Sequence, residues 1–472
     1  MILKKIKNIK FEYIIILIAI LISIVWSNYN LKKFDNIKIN FDGKYYNQLL
    51  YADLNATWFT AKKFKKNLDN GRGFLSSIPE YERFLLPSII VGYYYHLIDK
   101  EIYEETEDGQ FVIKEKNFKF GLIFFQILIY FTSLIFFSNE LKKIINKNFH
   151  KCIIIFLALE PSILQWHSSL WSESIFVSLI LILFTLILKK TDKMLIKFSI
   201  GIVLGLIFMQ RAVGFLYILP VIFYLFLANE KKIKSYFFLL AGYLIIILFI
   251  GFNNFKNTDH FFFLSTAHQY HSYYHYFADD ILADKKKISR EEAREILKSE
   301  EKKWISDHNI DLNLAEDISK NIKYRNKIFF REVMNNPIYF SKKFIKGIVT
   351  MCIIHPFWVN QHFYFDKTDP KAKKNPKEYY NKNLYKNIPY SLFIYFFVSI
   401  GFINSINKFV KNKKLDKFDK FLLFNNISIL YFILISGMWG NPKYFAPCMI
   451  SLSFHFSIGF IEFKKKFFDK KK

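Results

Sequence analysis

The sequence predicts an all-α polytopic membrane protein with about 10 transmembrane helices, further interfacial helices and two large external loops. Two observations support this fold class. Of the 472 residues, 52% are hydrophobic and 19% are aromatic. The apolar residues form runs long enough to cross a bilayer, and short lysine-rich clusters separate these runs.

Ten apolar runs approach or reach about 17 to 25 residues, the length of a transmembrane helix. They cover 11–27, 120–138, 152–167, 174–188, 195–210, 213–228, 235–252, 388–406, 421–438 and 444–462. The first run follows four lysines and resembles a signal peptide, but no small-residue cleavage pattern comes after it. We therefore expect an uncleaved first span.

The net charge of +27 would suggest a nucleic-acid partner in a soluble protein. Here most basic residues lie in the short connections between apolar runs, so they indicate membrane topology and no nucleic-acid partner is expected. The three cysteines lie far apart inside apolar stretches, which excludes a disulfide framework and a zinc motif.

The lysine clusters orient the chain. With the basic N-terminus inside, the clusters at 142–151, 189–193 and 231–234 all fall in the cytoplasm, and the pattern agrees with itself through seven spans. We expect an integral protein of a bacterial inner (plasma) membrane, with both termini cytoplasmic.

Two shorter apolar runs are ambiguous. If 84–98 crossed, the acidic stretch 99–118 would lie inside, so we expect an interfacial helix there. If 344–359 crossed, the lysines at 408–420 and in the C-terminal tail would lie outside; a half-inserted helix keeps them inside.

Three regions follow from this topology. An N-terminal transmembrane module covers 1–252 and contains the first external loop, 28–119. An external helical and aromatic segment covers 253–387, with the half-inserted helix near 344–359 and a helical cap predicted over 284–330. The C-terminal transmembrane helices and the basic cytoplasmic tail cover 388–472.

The informative polar residues all fall on the predicted external side. Ionisable residues at membrane depth are costly and mark functional sites, with snorkelling to the interface as the alternative. These residues are Asp42, Asp53, Glu160, His167, Glu173, Arg211, Lys443 and Tyr444.

Two cations in this group suit a phosphate. Arg211 lies in MQRAVGF, where almost nothing joins two spans, and its guanidinium either pairs with phosphate oxygens or snorkels. Lys443 in GNPKYFAP either contributes to the same site or is solvated.

The acids have alternatives too. Asp53 either points into a pocket, with Trp58 anchoring its helix at the interface, or is an exposed loop carboxylate. Asp42 in FDGKYY is an alternative acid or a turn former. Glu160 precedes Pro161, a helix-breaking combination.

A histidine-rich stretch lies in the second external segment. His268, His271, His275 and Asp279 share one face if the stretch is helical, a spacing compatible with metal. Because aromatic residues are interleaved with these histidines, we favour carbohydrate stacking or interface packing.

Taken in order, these features resemble the GT-C membrane glycosyltransferases, the superfamily of the protein O-mannosyltransferases and the aminoarabinose transferases of lipid A. An acid after span one precedes a helix, an Arg precedes a Leu-Pro run, and an acid comes just before span four. A Gly-rich span runs into an Arg, an Asn-Pro helix leads into the last bundle, and a basic residue and Tyr stand near the end. The matching positions are Asp53, Trp58, Ala61, Arg83, Glu160, Glu173, Ser174, Gly201, Gly205, Arg211, Pro220, Asn336, Pro337, Lys443 and Tyr444. The chain departs from the family in having a single Asp at either 42 or 53 where the family has a pair, and Lys443 where the family has Arg.

The resemblance implies an inverting glycosyltransferase that takes a sugar from a polyprenyl-phosphate donor at a catalytic first external loop. Asp53, or Asp42, would be the general base, and Arg211 and Lys443 would bind the lipid phosphate. His167 and Glu173 would contact donor or acceptor hydroxyls. Further substrate-binding positions would be Trp58, Arg83, His268 and Tyr444. The acceptor would be a glycan, lipid or protein, and a divalent cation is the one cofactor that the sequence leaves open.

Two other classes remain as alternatives. A lipid-linked glycan transporter or flippase would show repeat symmetry and polar pairs near the bilayer midplane, which this chain lacks. An O-antigen polymerase or ligase would depend on Arg and His in a late loop, with no essential acid after span one. A membrane scaffold is the simplest non-enzymatic alternative.

Overall fold

The structure is a computed structural model of the chain. It describes residues 11–34, 38–41, 44–47, 53–80, 85–98, 103–105, 111–113, 116–167, 170, 172–189, 193–228, 233–263, 274–312, 314–356, 384–411, 415–437 and 440–468.

Helices dominate the described residues, as predicted. They are α1 Phe11–Phe34, α2 Asp53–Asp69, α3 Phe74–Ser77, α4 Leu85–Ile98, α5 Lys116–Leu141, α6 Lys147–Leu159, α7 Pro161–His167, α8 Glu173–Leu188, α9 Met194–Gln210, α10 Ile218–Leu227, α11 Ile233–Thr258, α12 Asp279–Lys286, α13 Arg290–Asp307, α14 Ala315–Asn335, α15 Pro337–Cys352, α16 Ile388–Lys411, α17 Lys417–Ser436 and α18 Cys448–Phe467. Turns of 3-10 helix cover Ala212–Tyr217 and Pro442–Phe445, and a π-helical turn covers Tyr274–Ala278.

Two small antiparallel hairpins, which hydropathy does not predict, lie in the first large loop. Strands β1 Lys38–Phe41 and β2 Lys44–Asn47 pair with Phe41 opposite Lys44. Strands β3 Tyr103–Glu105 and β4 Phe111–Ile113 form the second hairpin. They are minor additions to an all-α architecture.

Each predicted span coincides with a helix or a helix pair. Among the described residues, five helices are long and apolar enough to cross a membrane: α1, α5, α11, α16 and α17. The predicted span 152–167 is a bent pair, α6 and α7, with an angle of 47° at Glu160. Pro161 has no N–H to continue the α6 ladder, which explains the break. Helices α8, α9 and the turn with α10 are shorter and apolar.

The long helices carry exposed apolar side chains on their outward faces. On α1, Leu17, Leu21 and Val25 are 57%, 54% and 68% exposed, and on α11 Phe237 is 66% exposed. Continuous apolar faces of this kind are unfavourable in water and favourable in a bilayer. The chain is therefore an integral membrane protein.

The bundle has two distinct ends. One, which we name the lysine end, carries Lys143, Lys189, Lys193, Lys417 and Lys465 at the ends of α5, α8, α9, α17 and α18. The other, the loop end, carries α2 to α4, α7, α12 to α15 and the Pro442–Phe445 turn. Contacts between distant segments define it: Asn253 donates to the carbonyl of Pro79 at 2.7 Å, and Gln165 to that of His355 at 2.7 Å.

Both ambiguous apolar runs lie at the loop end. Helix α4 buries Leu85, Val91 and Tyr95 against neighbours that include α2. Helix α15 begins at Pro337 and ends at Cys352, seven residues before the predicted limit at 359. Ile354, just after α15, accepts from and donates to Ser391 at the start of α16. These contacts keep both runs beside the loop end.

The predicted helical cap over 284–330 is present as α12, α13 and α14. Asp279 at the start of α12 is buried and accepts from Arg290 and Arg294 of α13 at 3.0 to 3.1 Å. Glu301 of α13 accepts from Asn321 and Arg325 of α14 at 2.9 and 2.6 Å. Buried charges in this cap are therefore paired, as the cost of desolvation requires.

Candidate functional site

The candidate site is centred on a buried ion pair at the loop end. Helix α8 begins at Glu173 and α9 ends at Gln210, so Arg211 is the first residue beyond α9. The guanidinium of Arg211 donates to the carboxylate of Glu173, and the two side chains are 5% and 1% exposed. Arg211 is extended, and its N–H still caps the carbonyl of Ile207.

Residues on both sides of the ion pair extend the polar cluster. Arg211 Nη1 lies 3.3 Å from Ser172 Oγ, and Gln210 Nε2 donates to the carbonyl of Ser172 at 2.9 Å. Glu173 Oε2 and Gln210 Oε1 are buried and accept no hydrogen bond from the described residues. Buried acceptors without partners are rare and costly, so each calls for a donor such as an ordered water or a ligand group.

The Pro442–Phe445 turn brings a second cation and an aromatic ring to this cluster. The Tyr444 ring centroid lies 4.9 Å from the Arg211 guanidinium carbon and 5.3 Å from Lys443 Nζ. Two cations therefore share one aromatic ring, an arrangement that stabilises positive charge.

Backbone geometry places that turn. Gly440 has a φ of +58°, and the position of a Cβ on it would lie 3.2 Å from the Cα of Gly347 in α15. Asn441 then accepts from the N–H of Lys443 at 3.1 Å. A left-handed glycine packed against another glycine sets the direction in which Lys443 and Tyr444 leave the backbone.

A small apolar cavity adjoins the ion pair. Its volume is about 40 Å³, and helices α2, α4, α5, α8 and α9 contribute to its walls. The lining residues are Thr57, Pro87, Ile90, Val91, Leu122, Gln126, Leu170, Ser172, Ile175 and Gln210. Ser172 and Gln210 thus belong both to the cavity and to the cluster around Arg211.

The cavity connects the cluster to the helix that starts at Asp53. Residues i and i+4 of a helix lie on one face, so Asp53 precedes Thr57 by one turn on the face that reaches the cavity. The side chain of Asp53 lies outside the described residues. Its backbone is placed one turn from a cavity wall.

His167 lies on the other side of Glu173. It is 0% exposed, its Nδ1 lies 2.7 Å from the Oγ of Ser174, and its ring lies 4.0 Å from that of Tyr130. Its Nε2 is buried without a partner among the described residues. One ring nitrogen is therefore held by the protein.

Glu160 forms a polar contact that spacing alone does not predict. Its carboxylate accepts from Tyr390 at 2.6 and 2.8 Å, although 230 residues separate the two, and from the N–H of Ser162 at 3.3 Å. Glu160 thus caps α7 and ties it to α16. Both oxygens of Glu160 accept hydrogen bonds within the protein, whereas Oε2 of Glu173 accepts none from the described residues.

Four predicted site residues lie elsewhere in the fold or outside the described residues. Trp58, predicted to anchor α2 at the interface, is instead 3% exposed and packs on Tyr95, with ring centroids 5.4 Å apart. Asp42, Arg83 and His268 lie outside the described residues. The structure therefore brings together Glu173, Arg211, Lys443 and Tyr444, with His167 adjacent.

The structure also bears on metal binding. Within the parts of the chain that the structure covers, no group of three or more His, Cys, Asp or Glu could hold a metal ion. Asp279, the acid next to the histidine-rich stretch, is held by Arg290 and Arg294.

The chain was compared with protein-family models, with curated proteins and with solved structures. No protein-family model and no curated protein matches the chain. The chain is similar to the crystal structure of the oligosaccharyltransferase of Archaeoglobus fulgidus in the apo form, at 11% identity and a TM-score of 0.47. The similarity covers 98% of this chain and 51% of that one, so the chain spans about half the length of that protein.

Proposed function

We propose that the chain is an inverting glycosyltransferase of the GT-C type, acting on a polyprenyl-phosphate sugar at the loop end. The observation that carries the proposal is that Arg211 and Lys443 share the Tyr444 ring, while Ser172, which Arg211 contacts, lines a small cavity walled in part by the helix of Asp53. A phosphate leaving group needs the cations, and an acceptor hydroxyl needs the acid.

Asp53 is proposed as the general base. It takes the proton of the acceptor hydroxyl, whose oxygen attacks the anomeric carbon as the bond from that carbon to the phosphate oxygen breaks. The electron pair leaves with the polyprenyl phosphate, which needs no protonation, and the anomeric configuration is inverted. One carboxylate therefore suffices, in contrast to the two of a glycosidase.

The preference for Asp53 over Asp42 has a structural argument. Strand β1 ends just before Asp42, and β2 begins just after Gly43, with Phe41 paired to Lys44. Asp-Gly between two paired strands is the usual composition of a tight hairpin turn. We therefore take Asp53 as the base and keep Asp42 as the alternative.

Arg211 and Lys443 are proposed to hold the lipid phosphate. Glu173 orients the guanidinium through one oxygen, while its second oxygen and Nε2 of His167 remain for sugar or acceptor hydroxyls. Tyr444 keeps the two cations together. Arg83, Trp58 and His268 are further substrate-binding positions only as the resemblance implies.

The topology completes the proposal. We assign the loop end to the external face, because the lysines gather at the opposite end and lysine-rich connections stay in the cytoplasm. The first loop, 28–119, is then catalytic, and the segment 253–387 selects the acceptor. Both termini lie in the cytoplasm of a bacterial inner membrane.

The test is mass spectrometry of lipid-linked and envelope glycans. A strain lacking the chain is complemented with the wild-type protein, with Asp53→Asn or with Asp69→Asn. Asp69 ends the same helix, where it contacts Lys65 and His96, and is the matched control. We expect the deletion and Asp53→Asn to lose one sugar and accumulate its polyprenyl-phosphate donor, while Asp69→Asn behaves as wild type.

Immunoblots of the membrane fraction establish that each variant is present at the wild-type level. If Asp53→Asn retains transfer, the base is not Asp53, and Asp42→Asn becomes the next variant. If no glycan changes even in the deletion strain, the transferase proposal fails.

A further inference from the structure

A second, larger cavity lies at the lysine end, far from the candidate site. Its volume is about 740 Å³, and it opens between the C-terminal ends of α5 and α8 and the N-terminal ends of α9 and α17. Its lining residues are Glu140, Lys143, Ile144, Leu188, Lys189, Lys193, Ile196, Asp416, Lys417 and Phe418. Four lysines thus surround a space large enough for a lipid headgroup.

The two acids of the cavity are engaged within the protein. Glu140 accepts from Lys143 at 2.7 and 2.8 Å. Asp416 caps α17 by accepting from the N–H of Asp419 at 2.7 Å, and its other oxygen lies 3.4 Å from Lys408. The lining therefore carries an excess of positive charge, with Lys189 and Lys193 both exposed.

Part of the cavity lining is apolar, and a hydrogen bond joins two of the helices that form it. Ile144, Leu188, Ile196 and Phe418 supply the apolar surface. Lys417 donates to the carbonyl of Leu188 at 2.6 Å, which joins the start of α17 to the last turn of α8. A lining that combines exposed lysines with apolar side chains matches a ligand that is anionic at one end and apolar at the other.

We infer that this cavity binds an anionic phospholipid, with its phosphate at Lys189 and Lys193 and its upper acyl chains along Ile196 and Phe418. The positive-inside pattern alone requires lysines at this end of the bundle but does not require them to surround a cavity. Basic pockets between spans on the cytoplasmic side bind anionic headgroups. The site lies at the end of the bundle opposite Arg211. It is independent of the proposed transfer reaction.

The test is native mass spectrometry of the full chain in detergent, titrated with phosphatidylglycerol and, separately, with zwitterionic phosphatidylcholine. The variant Lys189→Gln/Lys193→Gln removes two charges from the cavity. The matched control, Lys464→Gln/Lys466→Gln, removes two charges from the same end of the bundle but outside the lining. Neither pair belongs to the loop-end site, and the readout does not depend on glycosyl transfer.

We expect wild type and control to retain phosphatidylglycerol in preference to phosphatidylcholine. In the cavity variant we expect about a thirtyfold weaker affinity for phosphatidylglycerol, since each lysine contributes about a factor of five near an anionic lipid. Equal losses in both variants would mean a diffuse charge effect and would overturn the site. Full displacement of phosphatidylglycerol by glycerol phosphate would show that the site takes a soluble phosphate, and would overturn the lipid assignment.

Discussion

Arg211 and Glu173 form a buried ion pair although 38 residues separate them in the chain. The pair joins the end of α9 to the beginning of α8, so it closes two antiparallel helices at the end where the cavity lies. It also means that Arg211 is neutralised within the protein. An anionic ligand that reaches Arg211 shares the guanidinium with Glu173.

The first prediction concerns the stability of this pair. Arg211→Met leaves the carboxylate of Glu173 buried without its cation, so we expect a loss of about 3 to 5 kcal/mol in the free energy of unfolding. The double variant Glu173→Gln/Arg211→Met removes both charges and should recover much of that loss. Equilibrium unfolding in detergent measures both.

Lys143→Met, which breaks an exposed ion pair, is the control for Arg211→Met. It breaks the contact with Glu140, in which the lysine side chain is 60% exposed, and should cost at most about 1 kcal/mol. If Arg211→Met unfolds like the control, the buried pair does not carry the stability inferred here.

Hydropathy predicts much of this fold but not the contacts that build the site. A run of apolar residues dictates a helix at membrane depth, because every backbone N–H and C=O must be satisfied within the segment. The distribution of lysines among the connections then predicts which helix ends lie on the same side of the membrane. That is why Glu173, Arg211 and Lys443 are predicted to lie at one end of the bundle, and they do.

Which helices are lateral neighbours is a different question. The contact of Glu160 with Tyr390 and that of Arg211 with Glu173 depend on side-to-side packing order, and hydropathy contains no information about that order. Small residues such as Gly440 and Gly347 mark close approaches, but one sequence does not tell which glycine meets which. Hydropathy likewise does not predict that Trp58 packs against Tyr95, because this contact also depends on which helices are neighbours.

The second prediction concerns Tyr444. Its ring centroid lies 4.9 Å from the Arg211 guanidinium carbon and 5.3 Å from Lys443 Nζ, so the ring contacts both cations, and phenylalanine keeps that ring. Tyr444→Phe should retain donor binding. Tyr444→Leu should raise the KM for the polyprenyl-phosphate donor about fivefold, the equivalent of about 1 kcal/mol of cation–π interaction.

Steady-state kinetics of the purified protein with donor lipid in mixed micelles give the comparison. A similar rise in KM for both Tyr444 variants would assign the effect to the hydroxyl and contradict the prediction.

The third prediction concerns the close approach of α2 and α4. A Cβ at Gly92 of α4 would lie 2.6 Å from the carbonyl oxygen of Ala61 in α2 and 3.0 Å from the ring of Phe64. Gly92→Ala should therefore push α2 away from α4, with a loss of about 1 to 3 kcal/mol in the free energy of unfolding. Because α2 begins at Asp53, transfer activity should fall as well.

Hydrogen exchange of the α2 peptide should rise in Gly92→Ala. Gly73→Ala is the control, since the nearest atom to its added Cβ is Ser76 Oγ at 3.5 Å, an ordinary contact. Unchanged protection of α2 in Gly92→Ala would show that the crossing has room for a methyl group.

The last prediction concerns the pH dependence of the helical cap. Hydrogen bonds from Arg331 of α14 hold the pKa of Glu300 of α13 below its ordinary value of 4.5. A carboxyl whose pKa is lower in the folded state stabilises that state above the unfolded pKa, and this stabilisation is lost as the pH falls through the folded value. The contact between α13 and α14 should therefore loosen below about pH 4.5. Glu300 and Arg331 are 35% and 44% exposed, so the contribution is at most about 1 kcal/mol and decreases with salt. Hydrogen exchange of α13 at pH 6 and pH 3.5, corrected for intrinsic rates, measures this loosening.

Glu300→Gln should remove part of the pH dependence, whereas Glu291→Gln on the same helix should not. Identical pH profiles for wild type and Glu300→Gln would exclude this pair as the acid-sensitive contact.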